Sequence, residues 1–447
     1  MSIMRKTTFL RAGLLATLGG ALPTAASSQT AGDVVPVVTL AEARRRAASV
    51  APDAVAARTQ VETAAWERRS ALSNLLTPHV TAAGGYTHFS DPFFNFGTGS
   101  ISPNATSATL DARYTLLGAG RIGNWRSARA SLESAEALET ATRFRTALAT
   151  DAAYFAVLAD RELSRVAANR LQRATEQFGV ARLRVAAGEA ISSDSLQLLL
   201  ELNGARLAVL RSDSAVATSR LRLGRRIGVE GPVDASSADT AVPPPLPMTE
   251  AQATAEMRAR GPEVEASRAD ERRAGAALSA EREKYLPEVT LGATTGAYDS
   301  QLFPSALRRS QLNVAVSLPI WNGGERELSV ARARAVHDVA RATRADWERG
   351  AGELIAESYH GYQTSHAAID LARVGVVVAS ENYRVQQARY KEGATTILDL
   401  LEAQVALNEA ESALVQSRYA TRLALAQIEA LLGRRIFDTP TINSTDR

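Results

Sequence analysis

The sequence predicts a mainly α chain that carries a small transmembrane β-barrel portion, built from long coiled-coil helical hairpins and four strands per chain. Three observations lead there. Two long proline-free runs each end at a lone glycine and turn back into a second helical stretch. Two pairs of short segments alternate apolar with polar residues, the period of strands with unlike faces. The whole order then occurs a second time.

The clearest hairpin is centred on Arg389–Glu402, RYKEGATTILDLLE. Ahead of it, Glu325–Glu392 contains no proline. Behind it, Leu400, Leu407, Leu414 and Ile428 recur at heptad position a, and Ala403, Ala410, Ala424 and Leu431 at d, with Ser417 and Thr421 filling the gaps. Large residues facing small ones at a spacing of about 3.5 make a coiled-coil seam that allows close approach. Gly393 is read as the hairpin tip, where a residue without a Cβ takes the positive φ of a tight reversal. The plain alternative, a glycine that merely ends one helix, loses to the recurrence of the same tip at Gly188.

Taken in order, residues 1–28 read as a secretory signal: Arg5, Lys6 and Arg11, an apolar core Ala12–Leu22, and small residues Ala25–Ser28. That core is too short to span a bilayer as a helix, and no later segment reaches the length. Thr39–Leu76 reads as an alanine- and arginine-rich helix pinched at Pro52 and stopped by Pro78. His79–Phe89 has strand character, Thr87–Thr109 the composition of a loop with notable phenylalanines at 93, 94 and 96, and Leu110–Leu117 alternates as a strand. Gly118-Ala119-Gly120 turns into a run from Ile122 to Ala187 on which Leu148, Ala152, Phe155, Ala159, Leu163 and Val166 keep helical spacing. Gly188 follows, then a helix to about Gly228. Gly231–Met248 has linker composition. A helix from Thr249 then meets Pro287, Val289–Tyr298 and Leu312–Ile320 alternate as strands around a short loop with Pro304, and Asn322-Gly323-Gly324 turns the second corner. The domains are thus a signal (1–28), a first repeat (29–230), a linker (231–248), a second repeat (249–437) and a tail (438–447).

The duplication can be checked by offset. Gly120 and Gly324 are 204 residues apart, Gly188 and Gly393 205, Asp194 and Asp399 205, and the pentapeptide LGRRI recurs 209 residues on, at Leu223 and Leu432.

Composition narrows the function. The chain of 447 residues has no cysteine, which excludes disulfides, thiol chemistry and a lipid on an N-terminal cysteine. Its formal charge of +3 matches the three cations of the signal, so the rest is near neutral and offers no nucleic-acid footprint. The run from Ile122 to Ala187 extends on the order of 100 Å as helix, the length of a duct. Strands of about ten residues approach transmembrane β-strand size. Four strands cannot close a barrel, and open edges cannot sit in lipid. Two copies would give eight strands with a filled interior; three would give twelve with room for a pore. A soluble sheet with helical arms is the competing reading, and it leaves the apolar strand faces unexplained.

The strings SLPIWNGGERE and ARYKEGATTILDLLEAQVALNEAESALVQSRYA, the closing LLG and the duplicated helix–strand–strand–helix–helix order resemble the outer-membrane efflux protein (TolC-like) family, over about Thr39–Phe437. The first repeat has drifted, with GAG for NGG and VAAGEAISSD for YKEGATTILD. The resemblance implies a homotrimer: a 12-stranded barrel in the outer membrane joined to an α-barrel crossing the periplasm, docked to a periplasmic adaptor and an inner-membrane pump of the RND or ABC type. It implies adaptor-docking tips at Gly188, Glu189, Ala190, Gly393, Ala394 and Thr395. It also implies an acidic, selectivity-setting periplasmic gate at Asp399 and Glu402, with Ser193 and Asp194 as the first-repeat equivalents. Many relatives are lipoproteins; a chain without cysteine departs from them.

From the residues alone, Asp399 and Glu402 lie one turn apart on a helix face, either as solvated charges or, repeated threefold, as a ring favouring cations. Gly118, Gly120, Gly323 and Gly324 read as structural strand–helix corners. GAGRIG at 118–123 matches a dinucleotide fingerprint, but its preceding strand alternates, its helix runs far too long and the second repeat has NGGERE there, so a nucleotide site is rejected. The five histidines (79, 88, 337, 360 and 366) have no metal-ligand spacing, and no nucleophile motif occurs, so no catalytic, cofactor or metal site is expected. Arg225-Arg226 and Arg434-Arg435 close helices, where cations complement the dipole. Tyr86, Phe89, Tyr114, Tyr298 and Trp321 near strand ends form either an interfacial girdle or ordinary packing. The expected function is passive export of small toxic molecules in a tripartite system. Type I protein secretion is the alternative within the class, and a soluble periplasmic coiled-coil adaptor or scaffold the alternative outside it.

Overall fold

Among the described residues, proline and glycine divide the chain into eight helices and six strands. The computed structural model describes residues 35–95, 99–118, 120–188, 191–237, 242–301 and 307–437. The signal stretch, Phe96, Ala119, Glu189, Ala190, Pro304 and the tail from 438 lie outside them. Strand β1 (Val37–Val38) leads into α1 (Leu40–Val50) and α2 (Pro52–Leu76), then the hairpin β2 (His79–Asn95) and β3 (Ser100–Leu117). Helices α3 (Arg121–Ala186) and α4 (Ser192–Arg226) form the first long hairpin. After β4 (Asp234–Ala235) the order returns: α5 (Glu250–Arg260), α6 (Pro262–Glu283), β5 (Glu288–Asp299), β6 (Leu307–Ser317), α7 (Glu325–Lys391) and α8 (Ile397–Leu432).

The short helices are set by caps and prolines. The Thr39 hydroxyl accepts the Glu42 amide at 3.3 Å to start α1. Ala51 is extended (ψ 130°), as a residue before proline prefers, and Pro52 opens α2. The single helix expected from Thr249 is instead broken in the same way. Gly261 is extended (ψ 133°) and Pro262 opens α6, because proline at that point can neither donate to nor fit the preceding turn.

The expected loop 87–109 is a correction as well. Strands β2 and β3 run through most of it, pairing from His79 with Arg113 to Asn95 with Ser100. The register shifts between His88 and Phe93, opposite Ser102–Asn104, so Pro92 and Pro103 sit at the irregularity where no regular ladder donor is required. The four-stranded antiparallel sheet has the order β2-β3-β5-β6. The two repeats therefore join at β3–β5, and β2 and β6 are left as open edges. Leu312, Val314 and Val316 on β6 are 64–72% exposed, an apolar face without a cover in one chain.

α3 and α7, of 66 and 67 residues, are each about 100 Å long at 1.5 Å per residue. Along α8, Leu400, Ala403, Leu407, Thr421, Ala424 and Ile428 are buried, as the heptad predicts. Leu414 is only half-buried and Val415 takes its place, the drift expected when a helix of 3.6 residues per turn follows a 3.5 repeat.

The linker-like stretch 231–248 is not a free tether where it is described. β4 pairs parallel with β1, and Val233 and Ala235 are fully buried with Tyr154, Leu158, Leu223 and Ile227. The Tyr362 hydroxyl donates to the Pro244 carbonyl at 2.6 Å, and burial pushes that phenol up to about 12. The arginines closing α8 do more than complement a dipole. Arg435 pairs with Glu429 at 2.6 Å and lies 3.6 Å from fully buried Asp151, which Arg44 holds through both oxygens at 2.6 Å. Among the described residues, no helix is long and apolar enough to cross a membrane.

Candidate functional site: the hairpin tips and the corners

Each long hairpin reverses at a glycine in the left-handed region, Gly188 at φ 78° and Gly393 at φ 73°. At the second tip the Gly393 amide donates to the Tyr390 carbonyl (3.1 Å) and the Ala394 amide to the Arg389 carbonyl (2.8 Å). This pair of bonds closes a helix on a left-handed residue and satisfies its last carbonyls. Thr396 then caps α8. Its hydroxyl accepts the Asp399 amide at 3.3 Å, while the Asp399 carboxylate accepts from the Thr396 amide (3.1 Å), the Thr396 hydroxyl (2.7 Å) and the Thr395 hydroxyl (2.7 Å). Those bonds, the Thr396 hydroxyl foremost, hold the Asp399 carboxyl below the usual aspartate range. Thr396-x-x-Asp399 is a capping box, a signal readable in the sequence and missed there.

The two acids expected at the gate therefore differ. Both are exposed, yet Asp399 is engaged by three donors, while Glu402 has no ion-pair or hydrogen-bond partner among the described residues. At the first tip Ile191 occupies the capping position and makes no side-chain cap bond. Ser193 is exposed and Asp194 half-buried. Neither side chain makes a hydrogen bond among the described residues. Asp194 instead faces Tyr390, where burial first and the Asp194 charge second push the phenol up, against the pull of Arg184.

Arg184 joins the tips. It donates to the Tyr390 carbonyl at the end of α7, and its guanidinium lies 5.3 Å from the Tyr390 ring centre. A cation at a helix C-terminus is favoured by the dipole. Above it, the seam between the two hairpins is polar. Gln177 donates to the Tyr383 hydroxyl at 2.6 Å. Arg173 donates to Asn408 (2.7 Å) and Glu411 (2.9 Å). Gln404, fully buried, donates to Glu201 at 3.0 Å, which Arg170 also holds at 2.8 Å. The seam is incompletely satisfied: Gln177 Oε1, Gln404 Oε1, Asn408 Nδ2 and the Tyr390 hydroxyl are buried without a partner. Sequence reading found none of these residues, because the partners across the two hairpins stand more than 200 positions apart.

The corners expected to be structural are unlike one another. Gly120 and Gly324 occupy matching positions, each left-handed and each preceding a long helix. A Cβ on Gly120 would lie 2.9 Å from the Ala280 carbonyl oxygen, and one on Gly118 only 2.1 Å from that of Pro287. The first corner is thus pressed against α6 and the start of β5. A Cβ built on Gly323 or Gly324 would meet no other part of the described chain within 4 Å. Of the expected girdle, Trp321 and Tyr86 are 77% and 57% exposed. Tyr114 is packed, donating to the Leu75 carbonyl under the Arg121 guanidinium. Among the described residues, no group of three metal-ligating side chains occurs.

An open sheet with an apolar face, carried on two long helical hairpins whose tips hold acidic side chains, is the architecture of a channel protein. The chain belongs to the outer membrane efflux protein family, whose model matches residues 43–229 and 254–434, one stretch in each repeat. It is 28% identical over 363 residues to the pyoverdine export outer membrane protein OpmQ of Pseudomonas aeruginosa, covering 75% of this chain and 71% of that one. It is 23% identical over 364 residues to the toluene efflux pump outer membrane protein TtgC of Pseudomonas putida, covering 80% and 75%. Its fold matches the outer membrane protein VceC of Vibrio cholerae with a TM-score of 0.74 at 19% identity, over 89% of this chain and 96% of that one. The family resemblance carried by the sequence motifs holds: this is an outer-membrane efflux channel protein.

Proposed function

We propose that three copies of the chain close into one passive conduit, with twelve strands in the outer membrane and the helical hairpins forming a duct through the periplasm. In this reading it carries small toxic molecules outward as the outer component of a tripartite pump. An adaptor meets the tips at Gly188–Ala190 and Gly393–Thr395, and an inner-membrane RND or ABC transporter supplies the energy. The names of the relatives, which export toluene in one case and pyoverdine in another, favour small molecules over secreted proteins.

The observation that carries the assembly is the contrast between the corners. Within the chain, the corner before α3 packs on α6 and β5, and β3 pairs with β5. In the second repeat the equivalent corner faces open space, and the equivalent strand, β6, pairs with β5 on one side only, its other edge lacking a strand among the described residues. The residues that would supply one are α2 and β2, the counterparts of α6 and β5, with Pro78 matching Pro287 at an offset of 209. A second copy offering its α2 and β2 repeats the internal junction, and a head-to-tail contact of this kind closes into a ring. At the tips, the polar seam is the element that opens. Its half-satisfied buried groups make the closed arrangement less costly to leave than an apolar core would be.

The test is outer-membrane fractionation followed by mass in detergent. The reading expects an integral species near three times the 47.6 kDa chain, less the signal. A soluble monomer would return the strands to the scaffold reading.

A further inference from the structure

Where α3, α6, α7 and α8 meet, beside the Gly261–Pro262 break, lies a cavity of about 290 Å³. It takes no part in the tip or the corners. Phe144, Leu148, Trp347, Leu354 and Leu431 line it together with Pro262, so the proline that ends α5 also shapes one wall. Arg145 and Glu263 stand at its edge and pair with each other at 3.2 Å. Their charges offset. Glu357, also lining it, is exposed and has no ion-pair or hydrogen-bond partner among the described residues, and neither has the indole N–H of Trp347.

Mostly apolar walls with a few polar groups, in a volume near the roughly 300 Å³ lower bound of small-molecule sites, describe a ligand cavity for a compact body. The charge settles its sign. The lining carries one cation against two carboxylates; the Trp347 ring adds a negative face that attracts cations, whereas the Phe144 ring already has the Arg143 guanidinium 5.5 Å from its centre and offers its apolar edge. An anion would be repelled by Glu357, and a neutral apolar molecule would gain nothing from it. We propose that this cavity binds an organic monocation with a flat apolar body, its rings against Phe144 and Trp347 and its charge toward Glu357. Because α3 belongs to the first repeat and α6–α8 to the second, the bound molecule bridges the repeats and stabilises the folded chain by mass action.

Titration of the full-length protein in lipid nanodiscs with proflavine, a planar monocation, followed by fluorescence anisotropy, tests this. The expected result is saturable binding at one site per chain. Leu148→Trp, which fills the cavity, should weaken it by at least about tenfold, and Glu357→Gln by about fivefold. If Leu148→Trp does not assemble, Trp347→Leu reads the same wall. Binding that never saturates, as would follow if a neighbouring copy covered the mouth, overturns the proposal, and so do variants that bind like the parent. The readout is independent of conductance, so loss of the channel reading and loss of this site are distinguishable.

Discussion

The two repeats of this chain share an order of elements but not a set of neighbours. Gly120 is pressed against the Ala280 carbonyl, whereas Gly324, in the same conformation at the same point of its repeat, faces open space. Both glycines hold a left-handed turn, and only one of them is needed inside the chain for close approach. The difference teaches that a duplicated sequence can encode an interface twice and complete it only once. The tips differ in the same spirit. Thr396 and Asp399 cap α8 reciprocally, while Ile191 at the head of α4 caps nothing. One tip is pinned by its own residues, and the other depends on Arg184 and Asp194 meeting the partner hairpin.

The corner comparison breaks most visibly with alanine. Gly118→Ala, with a Cβ 2.1 Å from a backbone oxygen and φ of 100°, should cost more than about 4 kcal/mol and leave no folded protein in the outer membrane. Gly324→Ala should cost only the local strain of about 1–2 kcal/mol and still give a folded chain. If the open corner is completed by another copy, the oligomer seen in detergent should nevertheless be lost. An oligomer as stable as the parent's would mean that the corner stays open in the assembly.

Next in size is the seam. Arg173→Ala removes three bonds to α8 and strands Glu411 in a partly buried position, at a cost of about 2–3 kcal/mol. Single channels in planar bilayers should then show a raised resting conductance. A closed channel indistinguishable from the parent would dissociate the seam from gating.

The tip comparison can be sharpened in both directions. Thr396→Ala should lower stability by about 1 kcal/mol, and Ile191→Thr, which creates Thr-x-x-Asp at the first tip, should raise it by a similar fraction. Thermal unfolding of the two variants checks the pair, and equal effects of one sign would contradict the asymmetry.

The smallest effect concerns the two acids. Glu402→Gln should reduce cation preference in single-channel recordings more than Asp399→Asn, because the Asp399 charge is shared among three donors. The pH dependence has a definite sign. Asp399 titrates lower in the folded chain than unfolded, so its contribution is present above the ordinary aspartate value of about 3.9 and is lost as pH falls through the depressed one. Capping by Asp399 should therefore persist through mildly acid conditions and fail only below that range.

Much of this was legible in residue patterns. Glycine at the tips and corners, proline before the strands and a 3.5-residue seam are local signals, and each marks a local event. The strand core read well where residues alternate, as at Leu110–Leu117. Reading stopped short at 87–109, because threonine, serine and asparagine on an extended hairpin have the composition of a loop, and the prolines there sit at an irregularity of the ladder. The break at Pro262 and the box Thr396-x-x-Asp399 were present in the sequence and overlooked. Arg173 with Glu411 and Gln177 with Tyr383 could not be found that way, since 238 and 206 positions separate the partners and only the fold brings them together.

The central claim is that the junction inside the chain recurs between chains, and one cross-link tests it. Internally, Leu110 on β3 pairs with Thr295 on β5. By the repeat offsets of 204 and 209, the matching residues are Val314 on β6 and Tyr86 on β2 of the next copy. Both are exposed, at 64% and 57%. In a chain without cysteine, Val314→Cys combined with Tyr86→Cys leaves only this pair to oxidise. The account predicts covalent dimers and trimers on a non-reducing gel, with nothing larger. A monomer alone, or a ladder running beyond three chains, would contradict it.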